Sequence, residues 1–484
     1  MSSHNIIYYV RTNFIVWTCA VQKGAYLMMD NKHQSTTVMD SILYRDAFGT
    51  QEMRDIFSDL SLIRRYVEVE TALARAEAKC GVIPADAAKK ITELADIEKL
   101  DFDFLRQETD IVGYPILPLV HQLVKQCGEA GRYIHWGATT QDIMDTAVVL
   151  QVRDGLEVIE RDINELRKIL ISLTERYKDT IMAGRTHLQH ALPITFGHKT
   201  SIWLAMFDRH AERIKQLRPR VLTGEFAGAA GTLASLDNKG LEVQKALMDE
   251  LGLGVPQSTW HVARDGFAEA LNFLGLVTGT MGKIAYDVMI LASNEFGEVF
   301  EPFVTGRGAS STMPQKRNPI SSELMLACAK GVRQHAGLML DSMIQDFERA
   351  TGPWHTEWIA IPESFVLTAG ALKQAKFMLG GLIVDEDRMR KNLGITNGLI
   401  VAEAVMMGLA PYTGRQQAHD IVYAACRTVN ERGGSLAEAL SHIPEVTAHL
   451  NREEIEGLTN PANYLGVTSE MIEHTLAYSK KQGF

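Results

Sequence analysis

Between about Asp142 and Tyr177 runs a seam of Val152, Leu156, Ile159, Ile163, Leu166, Leu170 and Leu173, spaced alternately by four and three residues. Apolar side chains at that spacing share one stripe of an α-helix. No proline interrupts the run, so it predicts a single helix of roughly ten turns. A stripe that long can be buried only against other long helices. This feature directs the chain toward an all-α bundle.

Other segments follow the same logic. Ile56, Leu60, Ile63 and Val67 predict a helix ending at Cys80-Gly81, with Pro84 beyond it. Pro193 to Leu217 predicts a helix with proline in its first turn. Phe267 to Val299 is apolar nearly all round, as a central bundle helix would be. Ile320 to Arg349 and Pro362 to Leu382 predict two more. Period-two runs are too short for a large sheet, which leaves room only for brief hairpins. After Leu382 come shorter helices broken by glycine and proline. The expected division is a leader at 1–39, an N-terminal helical domain at 40–141, a central bundle at 142–382 and a small C-terminal helical domain at 383–484.

The net charge of −10 argues against nucleic acid as main partner, since phosphate binding needs a basic face. It permits an anionic substrate, because a few cations can dominate one cleft. Cys19, Cys80, Cys127, Cys328 and Cys426 show no C-x-x-C pairing, which fits a reducing, cytoplasmic setting better than a disulfide framework or zinc site. The apolar stretch Ala268 to Ser293 contains Glu269, Lys283 and Asp287. Charges that deep are costly in lipid, so a core helix is expected rather than a membrane span. In the leader, Ile6 to Val10 and Phe14 to Val21 are briefly apolar around Arg11. The two readings are a weak secretory signal and a disordered or mis-assigned start, with Met28, Met29 or Met39 as the true one.

The chemistry-bearing candidates begin with Gly308 to Pro319, G-A-S-S-T-M-P-Q-K-R-N-P. Pro314 and Pro319 keep a helix from running through it. A loop holding Ser310, Ser311, Lys316 and Asn318 can surround a developing negative charge with N–H groups and a cation while a serine oxygen meets a C–H. The segment closely resembles the G-S-S-x-M-P-x-K-x-N-P signature of the fumarase/aspartase superfamily, with Ala309 in place of the usual glycine.

Three further regions resemble that superfamily. His135-Trp136-Gly137-Ala138-Thr139-Thr140-Gln141-Asp142 is similar to its H-x-G-x-T-S region. A helix N-terminus there favours an anion, and plain capping by threonine is compatible with that role. Gly184-Arg185-Thr186-His187-Leu188-Gln189-His190 is similar to G-x-T-H-x-Q of the argininosuccinate and adenylosuccinate lyases. The resemblance implies that His187 acts as general acid or supports it; a buried core histidine and metal binding with His190 are the alternatives. Gly228 to Thr232 resembles a small-residue loop. Trp260-His261-Val262-Ala263-Arg264-Asp265 resembles a W-H-x-x-R-D region of the 3-carboxy-cis,cis-muconate cycloisomerase branch. Arg264 is either a bidentate carboxylate ligand or a structural group at the start of the next helix. Trp354 to Trp358 also looks like that branch, with no role assigned.

The resemblance implies a three-part all-α fold whose long-helix bundles assemble as a twenty-helix core in a homotetramer, with each active site shared among three chains. It implies an anti β-elimination on a small di- or tricarboxylate that needs no cofactor and no metal. Ser310 and His187 are the expected catalytic residues. His135, Thr139, Thr140, Gln189, Arg264, Lys316 and Asn318 are the expected substrate ligands. Release of fumarate or a substituted fumarate ranks ahead of lactonising cycloisomerisation, because His187 suits a leaving heteroatom that needs a proton. Gln315, where histidine often stands, points to altered specificity. An inactive structural homologue is the lesser alternative.

Overall fold

The computed structural model describes residues 35–349 and 351–481. The expected leader therefore lies outside the described residues up to position 34, and Met39 packs on the main core.

Among the described residues, six long helices carry the architecture. Helix α1 spans Asp59–Lys79, capped by Ser58, whose hydroxyl accepts the N–H of Ser61 at 3.2 Å. It stops at Cys80, and Gly81 turns the chain at φ 70°. Helix α2, Thr140–Arg176, has 37 residues. All seven residues of the predicted seam are buried, each contributing about 1.5–3 kcal/mol on the usual scale of apolar burial. Helices α3 (Phe196–Val221), α4 (Asp265–Leu291), α5 (Ile320–Ser342) and α6 (Pro353–Gly380) complete the bundle.

Four predicted boundaries need correction. Pro193 does not open a helix; it lies in a strand opposite Ala183. Helix α3 begins after Thr195, whose hydroxyl accepts the N–H of His198 at 3.0 Å. Helix α4 ends at Leu291 rather than Val299, because a turn through Gly297 at φ 61° reverses the chain. Helix α5 ends at Ser342 rather than Arg349, before a turn with Phe347 at φ 49°. Helix α6 begins at Pro353, whose fixed φ suits a first turn, and Pro362 lies inside it.

The strands are few and short. Ile181–Thr186 (β1) and Gln189–Thr195 (β2) form an antiparallel hairpin between α2 and α3. Val299–Phe300 (β3) pairs with Ile383–Val384 (β4), joining the chain after α4 to the chain after α6. Helix α7, Glu386–Leu393, packs on this end with Met389 in the main core. A second, separate core under α8 (Ala402–Thr413) and α9 (Arg415–Arg432) holds Val405, Leu409, Val422 and Leu440. Helix α10, Thr468–Lys481, then returns to the bundle and buries Ile472 and Leu476 there.

Helix α4 has the length and hydropathy to cross a membrane. Most of its apolar residues instead line the bundle core, with Phe267, Leu271, Leu274, Val277, Met281 and Ile284 all buried.

Candidate functional sites at the two ends of the bundle

The chemistry-bearing residues fall at opposite ends of the bundle. One end is built around the start of α2. His135 adopts φ 61°, and Gly137 φ 69°. This left-handed pair turns the chain sharply before Thr139. The Asp142 carboxylate accepts the N–H groups of Thr139 (2.9 Å), Ala227 (3.0 Å) and Gly228 (3.0 Å), and lies 2.7 Å from His261 Nε2. It thereby ties the glycine-rich loop beginning at Gly228 to the N-terminus of α2. Thr140 is the first residue of α2, half-buried.

Asp142, Glu225 and His261 can bring three ligand atoms within 4.8 Å of one another. Most of their polar atoms are already committed to the fold. Glu225 accepts the Trp260 N–H, and burial pushes its carboxyl up to about 7. Burial opposes a charge on His261, but the Asp142 carboxylate outweighs it and raises the imidazole pKa.

Arg264 sits directly before α4, fully buried. It reaches both oxygens of Asp145 (2.7 and 2.9 Å), both oxygens of Glu357 (2.8 and 2.5 Å) and the Trp260 carbonyl (3.4 Å). These contacts engage all five of its N–H donors. Of the two roles open to it, the geometry supports the structural one, with Asp145 and Glu357 as partners. Trp354 adds an indole N–H to Asp145 at 3.1 Å, and its ring meets Trp358 at 5.2 Å. The two tryptophan-containing segments are therefore two sides of one knot joining α2, α4 and α6. Arg349, on the turn between α5 and α6, donates to the Thr139 hydroxyl, which places a guanidinium at the start of α2.

The other end holds the hairpin and the signature loop. His187 and Leu188 occupy the hairpin tip at φ 53° and 64°, both exposed, as is Gln189. Below the tip, Arg185 clamps buried Glu298 through two hydrogen bonds of 3.0 and 2.5 Å, and Asn392 of α7 donates to the same carboxylate at 2.8 Å. His190 has a buried Nδ1 without a partner among the described residues, and burial, with Arg185 nearby, lowers its pKa.

The signature loop is tethered at its base and open at its crest. Arg307 donates to Ser321 (2.6 Å) and Gln374 (2.8 Å) and lies over the Phe377 ring at 4.4 Å. The Glu301 carboxylate accepts the first N–H groups of α5, Ser321 at 3.0 Å and Ser322 at 2.8 Å. Gly308 accepts the Asn318 N–H at 3.0 Å, closing the loop. At the crest, Ser310 Oγ accepts backbone N–H groups from Thr312 (3.3 Å) and Met313 (3.1 Å). Donors aimed at an oxygen favour its anionic form. Lys316 is exposed and makes no ion pair among the described residues. Beneath the loop lies a cavity of about 800 Å³, lined in part by Glu301, Phe303, Arg307, Lys316 and Asn318.

Within one chain these two sets do not meet. Helix α4, with Arg264 at its start and the signature loop beyond its end, has 27 residues, a length of about 40 Å at 1.5 Å per residue. Ser310, Lys316, Asn318, His187 and Gln189 lie at one end; His135, Thr139, Thr140 and Arg264 lie at the other.

Sequence reasoning missed Glu70, Arg185, Glu298, Arg307 and Arg349. Glu70 had a legible signal. It falls on the apolar stripe of α1, three residues after Val67, where an acid is expensive to bury without a partner. The others stand in loops or strands with no periodicity to mark them.

A family profile described as Lyase matches residues 47–333, and one described as Adenylosuccinate lyase C-terminus matches residues 398–475. Trans-aconitate decarboxylase 1 of Mycosarcoma maydis is 46% identical, covering 89% of this chain and 88% of its own. The 3-carboxy-cis,cis-muconate cycloisomerase of Acinetobacter baylyi is 43% identical, covering 91% and 99%. The N-acetyl-S-(2-succino)cysteine lyase of Dickeya dadantii is 37% identical, covering 92% and 98%. Among solved structures, a fumarate lyase from Mesorhizobium sp. BNC1 superposes with a TM-score of 0.84 at 55% identity, covering 89% of this chain and 98% of that one.

Proposed function

This chain belongs to the fumarase/aspartase superfamily of lyases, and from that premise we propose that it catalyses an anti β-elimination on a small succinyl-type di- or tricarboxylate, releasing fumarate or a substituted fumarate. The observation that carries the reading is the pair of backbone N–H groups directed at Ser310 Oγ.

A free serine hydroxyl is far too weak a base to take a proton from carbon. Donors from Thr312 and Met313, with Lys316 close in sequence, stabilise its alkoxide. Ser310 removes the proton from the carbon next to a substrate carboxylate, and the C–H electron pair moves into that carboxylate as an aci-anion. Lys316 and the loop's N–H groups bear the added charge, the largest catalytic contribution in such a site. The pair then returns to form the C=C bond as the neighbouring carbon–heteroatom bond breaks. His187 supplies the proton to the departing heteroatom. Thr139, Thr140 and the start of α2 hold another carboxylate. Gln189 and Asn318 orient it. Arg264 takes no part in substrate contact on this reading.

The distance between the bundle's ends supports a site assembled from several copies. A homotetramer with shared active sites satisfies that need, and the exposed Ile202, Leu276 and Tyr286 on the bundle helices are surfaces for such packing. Three buried free thiols, Cys80, Cys127 and Cys328, suit a cytoplasmic setting.

A second reading, lactonising cycloisomerisation, is favoured by the 43% identity to the Acinetobacter baylyi cycloisomerase. A substrate panel separates the two. Nitrogen- and sulfur-substituted succinates, 3-carboxymuconate and trans-aconitate are each incubated with the protein. Release of fumarate or a substituted fumarate from a substituted succinate is expected. Turnover of 3-carboxymuconate or trans-aconitate alone would displace the elimination reading.

A further inference from the structure

Helix α1 buries two carboxylates on one face. Glu70 is 1% exposed and Glu77 is 0% exposed, and they lie seven residues, about two turns, apart. Neither oxygen of Glu77 has a hydrogen-bond partner among the described residues. Burial, with Glu70 adding repulsion, pushes its carboxyl up to about 9, so Glu77 is neutral near pH 7. Glu70 differs: its Oε1 lies 2.6 Å from His135 Nδ1, while its Oε2 is buried without a partner.

Several observations converge on His135. Its backbone is left-handed at φ 61°, a conformation that costs energy for a residue with a side chain and persists where surroundings impose it. Its ring is partly exposed, at 21%, whereas its partner carboxylate is sealed. It stands four residues before Thr139, which caps the 37-residue helix α2. Burial opposes charge on the ring, but Glu70 outweighs it, with Asp142 adding to the effect, and the pKa is raised. The charged groups acting on the ring are Glu70 from α1 and Asp142 from α2, and Arg349 donates to Thr139, four residues further along the chain.

We propose that Glu70 is a positioning residue: it fixes the His135 ring through Nδ1, so that the ring joins the N-terminus of α2 in holding a substrate carboxylate. This inference rests on the carboxylate-binding role given above to the start of α2. A sealed acid behind a half-open histidine supplies a cation whose orientation is set before ligand arrives, and a preset donor loses less entropy on binding. A lysine reaching in from solvent would lack that restraint.

Titration calorimetry of the assembled full-length protein with fumarate tests the role without knowledge of the leaving group. Fumarate remains a dianion above about pH 6.5, the ordinary histidine value, and a histidine whose pKa is raised loses its proton above that point. Wild-type affinity is expected to fall as pH rises. Glu70→Gln should weaken binding at the lower pH by about tenfold, the equivalent of one pKa unit, and flatten the pH dependence. Glu70→Asp should restore most of both. His135→Gln should abolish the pH dependence, a check that holds even if Glu70→Gln folds poorly. The proposal is overturned if Glu70→Gln keeps wild-type affinity and slope, or if wild-type binding of fumarate is absent or independent of pH. Turnover by Ser310→Ala is a separate matter: it bears on the elimination chemistry and leaves the fumarate isotherm as the measure of Glu70.

Discussion

The two ends of the bundle treat charge in opposite ways. The ion network beside the start of α2 is sealed and saturated: Arg264, Asp145 and Glu357 are 0%, 3% and 2% exposed, and the guanidinium engages all four carboxylate oxygens. At the signature loop, Lys316 is exposed and Ser310 half-buried, its oxygen meeting only near neighbours in the chain, the Thr312 and Met313 N–H groups and the Thr312 hydroxyl. A buried ion network cannot rearrange without leaving a charge unpaired, so it sets shape. An open loop tethered at its base by Arg307 and Glu301 can close on a ligand. On the proposed reading, the fold separates rigidity from chemistry by the length of a bundle helix.

Substitutions at each end should fail in different ways. Ser310→Ala should lower kcat by about a thousandfold or more, since a base acting in the transition state is removed, with thermal unfolding unchanged. Near-normal turnover would break the assignment of chemistry to the loop. Arg264→Leu should lower stability by about 3–5 kcal/mol, because two buried carboxylates lose their counter-charge. Denaturant unfolding measures this, and a loss under about 1 kcal/mol would show that the network is not the rigid element.

The buried acid of α1 sharpens the contrast through pH. Burial raises the Glu77 carboxyl to about 9 in the folded chain, from the ordinary carboxylate value of 4.5. The folded state therefore binds a proton that the unfolded state releases over that window. Its stabilising contribution is complete below about pH 4.5 and is lost as pH rises toward 9, on the order of a few kcal/mol. Glu77→Gln should flatten the fall in unfolding temperature between about pH 6 and about pH 9. An unchanged slope would remove Glu77 from the account.

The smallest effect is expected at Gly308. Its φ is 68°, and an added Cβ would lie 2.5 Å from the Asn318 carbonyl oxygen. Gly308→Ala should slow turnover by roughly tenfold through a strained loop, leaving unfolding unaffected. Loss of stability instead would mean that the loop also supports the core.

Much of this was legible in the sequence for a physical reason. The seam of α2 and the apolar faces of its neighbours report burial through periodicity, and the signature loop reports itself through an ordered motif. Helix ends were less legible. The turn at Gly297, the strand holding Pro193 and the stop at Ser342 depend on contacts that no local pattern records. Arg264 was recognisable as important, but whether its partner is substrate or protein depends on Asp145 and Glu357, which lie 119 and 93 residues away. Glu70 on the stripe of α1 carried a readable signal, yet its partner His135 is 65 residues distant.

The central claim is that two ends about 40 Å apart in one chain form one site between copies. Mixing two inactive variants tests it. Ser310→Ala disables one end, and a Thr139→Val, Thr140→Val double variant disables the other. Unfolded together and refolded at equal ratio, they should regain activity approaching about a quarter of wild type, the fraction of sites that draw both ends from intact copies in a random assembly. Mixtures that stay inactive at every ratio, although each variant alone assembles normally, would contradict the account.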